Sequence, residues 1–107
     1  MTELKKCMDA LGIRVICGKA ESFDGVYAGD LLSRAMSHVE ADNLWITIMN
    51  NVNVISVASL TEASAVLLAE GVTLTPDALA AAEEKGICVL SAEQSVYDLC
   101  VGIAGLM

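Results

Sequence analysis

Three short apolar segments constrain the fold of this chain more than any other feature. They cover residues 44–49, 65–68 and 87–90, and almost every side chain in them is apolar. A strand with one face in water alternates apolar and polar residues, so strands of this kind are covered on both faces. Helical patterns lie around them. The sequence therefore predicts an α/β fold in three α/β/α layers, with a mainly parallel sheet of about five short strands.

Helical spacing of apolar residues marks the first half of the chain. Residues 3–11 form an amphipathic pattern, with Thr2 as a candidate N-cap and Gly12 at the end. A second helix begins at Leu31, where Asp30 is the expected N-cap. The apolar stripe of that second helix consists of Leu32, Ala35, Met36 and Val39.

Two more helices are predicted in the last third. Thr75 caps a helix that has Pro76 at its first position and ends at Gly86. Ser91 and Gln94 have the spacing of a capping box, which places the start of a terminal helix there. The apolar face of the terminal helix consists of Val96, Leu99, Cys100 and Ile103.

Further strands complete the predicted sheet. Residues 13–17 form a strand closed by Gly18, and residues 25–27 form a short extended piece. Residues 53–58 also have the pattern of a strand, followed by a single helical turn at 61–63. No internal repeat, linker or low-complexity tract interrupts the chain, so we expect residues 1–107 to form one domain.

The composition and charge of the chain limit the classes of molecule that it is expected to bind. The 107 residues are 55% hydrophobic and carry a formal net charge of −8 with only six Lys and Arg. A small domain cannot hide that much apolar surface alone, which predicts a homodimer. The lack of a basic patch argues against nucleic acid and anionic membrane as partners. No apolar run reaches the length of a membrane span, so we expect a cytoplasmic protein.

The four cysteines are widely spaced among apolar residues, and the chain has one histidine, His38. The cysteines are Cys7, Cys17, Cys88 and Cys100. The spacing is unlike that of a zinc knuckle or a redox pair, and it favours four buried thiols and no metal site. A metal or cluster held jointly by the cysteines is the alternative.

Four polar clusters follow the predicted strands. They are residues 25–30, residues 50–53, residues 71–75, and Ser91 with Glu93. Ligands of open α/β sheets bind beyond the carboxyl ends of the strands, so convergence of these clusters would form a crevice for a small polar molecule. The residues we expect to contact it are Tyr27, Gly29, Asp30, Thr47, Asn51, Asn53, Thr73 and Ser91. Ordinary turn and cap chemistry is the alternative for each cluster.

Two side chains in these regions have competing interpretations. Asp30 is either a helix cap or a general base or magnesium ligand, and position favours the cap. Trp45, the only tryptophan, has apolar neighbours that favour a core or interface position over a ligand platform. Tyr27 adjoins the turn at Gly29 and is the better candidate for ligand contact.

Several segments resemble the DRTGG domain family. They are residues 25–33, 44–47 and 53–58, followed by Gly71, by Pro76-Asp77 and by residues 85–87. The resemblance spans nearly the whole chain. It is strongest to small stand-alone members that are often encoded beside iron-only hydrogenase and ferredoxin-type electron-transfer proteins.

This resemblance implies a compact α/β/α domain related to the N-terminal domain of HPr kinase/phosphorylase. In larger proteins such domains accompany nucleotide-sensing CBS modules and phosphate acetyltransferase, which implies a regulatory role and a small-molecule or nucleotide ligand. The chain departs from the family pattern at two places. Residues 70–73 stand where the Asp-Arg-Thr-Gly-Gly signature is expected, and Asn51 stands where stand-alone members commonly have a His.

Three functional hypotheses follow. The favoured one is a non-catalytic, ligand-sensing or interaction domain that serves a redox or hydrogenase-type system, because phosphate loops, G-x-G-x-x-G motifs and Cys-His pairs are absent. The second is a small enzyme or accessory subunit acting on a polar metabolite around Asp30, Thr47 and Asn53. The third is a metal or cluster carrier that uses the cysteines. The identity of any cofactor stays open.

Overall fold

The computed structural model describes all 107 residues, which form five helices and seven strands. The helices are α1 (Leu4–Leu11), α2 (Leu32–His38), α3 (Val52–Thr61), α4 (Pro76–Lys85) and α5 (Val96–Ala104). The strands are β1 (Thr2–Glu3), β2 (Arg14–Cys17), β3 (Ser22–Phe23), β4 (Val26–Ala28), β5 (Leu44–Thr47), β6 (Ala65–Leu68) and β7 (Val89–Ser91). None of the helices is long and apolar enough to cross a membrane.

Five of the strands form the main sheet, in the order β2-β7-β6-β5-β4. The four strands from β4 to β7 are parallel, whereas β2 pairs with β7 in the antiparallel direction at one edge. The remaining strands, β1 and β3, form a separate antiparallel pair. The predicted α/β fold with a mainly parallel sheet of about five strands is therefore confirmed.

Alternating side chains of the sheet divide the core into two clusters. Leu44 and Ile46 of β5 join residues of α1 and α5, while Trp45 between them joins residues of α2, α3 and α4. Successive strand residues point to opposite faces, so each face of β5 is covered by its own cluster. This double burial explains why all four residues of β5 and all four of β6 are buried.

The largest error of the sequence-based prediction concerns residues 53–58, which lie in helix α3 and not in a strand. The predicted helical turn at 61–63 is likewise the end of that helix, where Glu62 adopts a left-handed conformation. Strands β5 and β6 are parallel neighbours, and a chain needs a crossover, usually a helix, to connect such strands. The buried residues of that crossover helix are Val54, Ile55, Val57 and Ala58.

Four cap predictions fail at the level of the side chain. Thr2 lies in β1, and Glu3 occupies the N-cap position of α1 without a side-chain bond. Thr75 does precede α4, but its hydroxyl donates to the Asp77 carboxylate at 2.6 Å and does not cap the helix. The other two failures are at Asp30 and Ser91.

Asp30 lies one residue before the N-cap of α2, which is Leu31, and its carboxylate bonds elsewhere. Ser91 is the last residue of β7, and Ser95 caps α5 by accepting from the Asp98 N–H at 3.1 Å. The expected stripe of α2 is also incomplete, because Met36 is exposed. The helix ends predicted at Gly12 and Gly86 are confirmed.

Candidate functional site

The parallel strands end together at one edge of the sheet, which we call the carboxyl edge. It is formed by the residues that follow β4, β5, β6 and β7, beginning with Gly29, Ile48, Ala69 and Ala92. Arg14 also lies there, because β2 is antiparallel and Arg14 pairs with Ser91 at the end of β7. Ligands of open α/β sheets bind at such an edge.

Asp30 and Thr47 form the best-defined polar contact at the carboxyl edge. The Thr47 hydroxyl donates to Asp30 Oδ1 at 2.7 Å, and the Ile48 N–H donates to the same oxygen at 2.9 Å. The Thr47 oxygen also accepts from the Met49 N–H at 3.1 Å. Thr47 is fully buried, whereas Asp30 is exposed. The carboxylate therefore joins the loop after β4 to the loop after β5.

Gly29 is held by the neighbouring strand and by two aromatic residues. Its N–H donates to the Ile46 carbonyl at 3.1 Å, and its carbonyl accepts from the Trp45 indole at 3.0 Å. The Tyr27 ring covers Gly29 so closely that a Cβ there would lie 3.0 Å from it. Tyr27 also stacks on His38 with ring centroids 6.2 Å apart. Trp45 is fully buried, in agreement with the core interpretation.

A second group of contacts joins the loops after β5, β6 and β7. The Asn50 amide donates to the Thr73 carbonyl at 2.9 Å, and the Asn50 carbonyl accepts from the Thr75 N–H at 3.3 Å. The buried Ser91 hydroxyl donates to the Val72 carbonyl at 3.2 Å. Thr73 and Ser91 thus serve as links between loops, as the alternative of turn chemistry predicts.

Asn51 and Asn53 do not share a role. The Asn51 side chain caps α3 by accepting from the Asn53 N–H at 3.1 Å and the Val54 N–H at 3.3 Å. Asn53 is exposed, and its side chain makes no hydrogen bond within the protein. The structure therefore brings Gly29, Asp30 and Thr47 together, but Asn53 forms no hydrogen bond with any of them.

Sequence reasoning missed the ion pair at the carboxyl edge. Arg14 donates to Glu93 at 3.0 Å, with both side chains more than half exposed. The Glu93 carboxylate also lies over Gly71, whose φ is +72°. Only the antiparallel direction of β2 puts Arg14 at this edge, and no local pattern reveals that direction. Asn50 was also missed as a separate residue, although the polar cluster at 50–53 includes it.

The cysteines are divided between the two core clusters. Cys7 and Cys88 lie in one, Cys17 lies in the other, and Cys100 is only partly buried. Burial raises the pKa of Cys88 to about 11, and it also raises the pKa of Cys7, Cys17 and Cys100. No three His, Cys, Asp or Glu side chains are grouped closely enough to hold a metal ion, so the metal-carrier hypothesis has no ligand set.

One open depression lies away from the carboxyl edge, beside α1. It is lined by Glu3, Lys5, Met8, Lys19, Ala20 and Glu21. Its four charged residues are exposed, and no hydrogen bond joins them to one another. The depression is the more concave surface, but the carboxyl edge has the polar groups held in place by buried partners, so we consider the edge the better candidate.

Comparison with a solved structure supports the fold. The chain is similar to the crystal structure of the CBS and DRTGG domains of the regulatory region of Clostridium perfringens pyrophosphatase, complexed with its activator diadenosine tetraphosphate. The TM-score is 0.73 at 13% sequence identity, and the match covers 95% of this chain. It covers 46% of the other chain, so this protein spans about half the length of that regulatory fragment.

Comparison with family models supports the resemblance seen in the sequence. A search of curated proteins gives no match. The family model described as the DRTGG domain matches residues 6–104, which is nearly the full length. The match includes all five helices in part or whole and the whole of the main sheet. This chain therefore belongs to the DRTGG domain family.

Proposed function

We propose that this protein is a non-catalytic regulatory domain that senses a small molecule at the carboxyl edge of its sheet. The observation that carries the proposal is the Asp30 carboxylate, fixed by Thr47 and by the Ile48 N–H across two neighbouring loops. A ligand that contacts Asp30 would act on both loops at once. Membership of the DRTGG family and the regulatory nature of the similar pyrophosphatase region support this role.

A nucleotide is the ligand class that we favour. The similar pyrophosphatase region was crystallised with diadenosine tetraphosphate as its activator. Open α/β sheets commonly bind nucleotides beyond the carboxyl ends of their strands. The first consideration supports a nucleotide as the ligand class, and the second supports the carboxyl edge as the place where this chain would bind it.

The geometry gives less support to the enzyme alternative around Asp30, Thr47 and Asn53. A nucleophile or acid must reach the substrate, but the Thr47 hydroxyl is buried and already bonded to Asp30 and to the Met49 N–H. Asn53 forms no hydrogen bond with either of the other two. These three side chains therefore do not form a catalytic group in this arrangement.

Native mass spectrometry of protein purified anaerobically from cells tests the proposed function. We expect a defined extra mass that is lost on denaturation, and we expect the identified molecule to raise the melting temperature when added back. The variant Asp30→Ala should abolish that rise. A protein that carries no molecule and is not stabilised by any nucleotide or metabolite in a panel would contradict ligand sensing.

Several finer assignments belong to the same proposal. We infer that residues 1–107 act as one DRTGG domain in a cytoplasmic homodimer and that its protein partner belongs to a redox or hydrogenase-type system. The division of the core between the two faces of the sheet supports a three-layer α/β/α arrangement related to the N-terminal domain of HPr kinase/phosphorylase. The acidic charge of −8 supports protein and small-molecule partners over nucleic acid and anionic membrane.

A further inference from the structure

The two edges of the main sheet are built differently. β2 forms one edge, where it carries Arg14 and a shift of register between Val15 and Cys17. Charges and bulges of this kind discourage an edge strand from pairing with another chain. β4 forms the other edge, and its sequence Val-Tyr-Ala has no charge, no proline and no register shift. The outer edge of β4 therefore lacks the protection that β2 has.

Hydrogen bonds to β5 fix which backbone groups of β4 face outward. The Gly25 carbonyl before β4 and the Gly29 N–H after it both bond to β5, at 3.0 and 3.1 Å. Since bonding residues alternate along a parallel ladder, Tyr27 between them also bonds to β5. Val26 and Ala28 therefore direct their N–H and carbonyl groups away from β5, and no backbone group elsewhere in the chain bonds to them. These four unpaired groups have the geometry to accept one more strand.

Four exposed carboxylates lie around the amino end of β4. The Asp24 N–H donates to the Asp42 carbonyl at 2.8 Å, and the Asp42 N–H donates to the Glu62 carbonyl at 2.9 Å. Asn43 joins Glu40 to the same group, because it accepts from the Glu40 N–H and donates to the Asp24 carbonyl, both at 2.8 Å. None of the four carboxylates forms an ion pair. We call these four residues the acidic corner, and their charge favours a cationic partner.

The charges argue against a second copy of this chain as the added strand. In a twofold arrangement Val26 of one copy would pair with Ala28 of the other. The Asp24 end of each β4 would then lie beside the Asp30 end of its counterpart, and like charges across a strand pair are destabilising. An extended segment that carries Lys or Arg beside the acidic corner would gain attraction at the same place.

We propose that β4 binds an extended, basic segment of a partner protein, which adds to the sheet as a sixth strand. The backbone of Val26 and Ala28 exchanges hydrogen bonds with the segment, and the acidic corner selects Lys or Arg at the nearer end of it. This interaction goes beyond the proposed function, because the outer edge of β4 is a different surface from the carboxyl edge. The domain would then hold a protein partner through one surface and a small molecule through the other.

Nuclear magnetic resonance of the full chain with a synthetic peptide tests the proposal. The probe is acetyl-Lys-Lys-Val-Thr-Val-Lys-Lys-amide, whose Lys residues at both ends bring a cation to the acidic corner in either strand direction. We expect the amide protons of Val26 and Ala28 to exchange rapidly in the free protein and to become protected in the complex. Those of Tyr27 and Gly29 are bonded to β5 and should be protected in both.

Two further peptides separate strand addition from simple charge attraction. Replacing all four Lys with Glu should weaken binding at least about fivefold, because attraction at the acidic corner becomes repulsion. Replacing both Val with Pro keeps the charge but removes N–H groups and disfavours the added strand. We expect the Pro peptide to leave Val26 and Ala28 unprotected.

The variant Ala28→Pro tests the outward backbone directly. It removes the outward N–H without breaking a hydrogen bond of the protein, and Pro is tolerated in edge strands at such positions. We expect Ala28→Pro to keep its circular dichroism and to bind the Lys peptide about tenfold more weakly. Ala28→Thr keeps the N–H and should bind like the wild type.

A charge reversal tests the acidic corner even if Ala28→Pro fails to fold. Asp24 is exposed and its side chain makes no hydrogen bond, so Asp24→Lys should fold normally. We expect it to bind the Lys peptide about fivefold more weakly and the Glu peptide more tightly. Glu84→Lys makes the same change on an exposed residue of α4, which packs against β2 at the opposite edge, and should have no effect.

The outcomes separate this inference from the proposed function. Equal binding of the Lys and Pro peptides would show that charge alone attracts them, and strand addition would be wrong. It would also be wrong if the Lys peptide does not bind, if Val26 and Ala28 stay unprotected in its complex, or if a folded Ala28→Pro or Asp24→Lys binds it like the wild type. None of these results touches ligand sensing, which native mass spectrometry tests at the carboxyl edge.

Discussion

Asp30 and Asn51 lie at similar positions relative to a strand and a helix, but their side chains accept hydrogen bonds from different parts of the fold. Each is a short polar residue between a parallel strand and a helix. Asn51 caps α3, whereas Asp30 bonds to Thr47 and Ile48 of the neighbouring strand and loop. A cap depends on residues two or three positions ahead, so sequence can suggest it. The partners of Asp30 come from a strand 17 residues away, and no local pattern contains them.

The cap at Asn51 gives a direct test at the scale of one residue. Replacing Asn51 with Ala removes the acceptor for two backbone N–H groups, and we expect the free energy of unfolding to fall by about 1 kcal/mol. Urea denaturation measures the loss as a lower midpoint with an unchanged slope. Asn51→Asp keeps an acceptor at the start of the helix and should retain nearly full stability. Equal losses in both variants would contradict the cap.

Gly18 is a position where even one added carbon is not accommodated. Its φ is +73°, and a Cβ there would lie 2.5 Å from the Ile87 carbonyl oxygen and 2.7 Å from Cys88 Cα. These are backbone atoms that cannot rotate away. We expect Gly18→Ala to lower the free energy of unfolding by about 2–5 kcal/mol, through strain at positive φ plus overpacking.

Gly86 is the matched control for Gly18. Its φ is +68°, but nothing lies within 4 Å of an added Cβ. Gly86→Ala should therefore cost only the conformational strain, about 1–2 kcal/mol. Chemical denaturation of both variants compares the two losses. If the two losses are equal, the close approach of Gly18 to the backbone of residues 87–88 has no energetic consequence, and the explanation is wrong.

Helix α3 shows why residue propensity alone predicted the wrong element at residues 53–58. Its sequence is rich in β-branched residues, which favour strands when they are considered one at a time. The connection from β5 to β6 decides otherwise, because two parallel neighbours need a crossover. The strand predicted at 65–68 is present, and the one predicted at 44–49 is present over 44–47. Two parallel neighbours predicted in this way already require a crossover between them. Residue propensity favours a strand here and the sheet topology requires a helix, and the structure has the helix.

A substitution at Ser59 tests in solution whether helix α3 continues beyond residues 53–58, where a strand was predicted. Ser59 lies in α3, is exposed, and makes no side-chain hydrogen bond. Ala has a higher helix propensity than Ser, so Ser59→Ala should raise the free energy of unfolding by about 0.5 kcal/mol. A loss of stability in the same denaturation experiment would contradict a helical position for Ser59.

At the scale of the whole molecule, the candidate site was predictable as a region but not as a set of contacts. Parallel strands end at one edge, so the polar residues after them had to converge there. Gly29, Asp30 and Thr47 do so. The pairing of Arg14 with Glu93 depends on the antiparallel direction of an edge strand, which the apolar pattern of β2 does not specify.

The stability of the whole fold should depend on alkaline pH through Cys88. The thiol is neutral when protonated, and burial raises its pKa in the folded state to about 11 from 9.0. The unfolded chain therefore ionises first, so the stabilisation is complete below pH 9 and is lost as the pH rises from 9 to 11. We expect a loss of about 2–3 kcal/mol across that window.

Cys88→Ala removes this ionisation. The variant is less stable at neutral pH, because it leaves space in the core, but its unfolding free energy should change less between pH 9 and 11 than that of the wild type. Urea denaturation at several pH values measures both slopes. Identical slopes would show that Cys88 does not control the alkaline loss.

The exposed surface of α5 is where we expect two copies of the chain to meet. Tyr97 and Val101 lie one turn apart on this helix and are 74% and 54% exposed. The protomers carry the same net charge of −8, so an apolar contact must overcome their repulsion. We expect light scattering to give about twice the 11.2 kDa of one chain.

The double variant Tyr97→Glu and Val101→Glu should give the mass of one chain with unchanged circular dichroism. Leu60→Glu places one such charge on a similarly exposed side chain near the end of α3 and should leave the dimer intact. If Leu60→Glu alone dissociates the dimer, the interface lies at α3 and not at α5. A wild-type mass of one chain at all concentrations would exclude the homodimer, and the apolar side chains of α5 would then be free for a different protein partner.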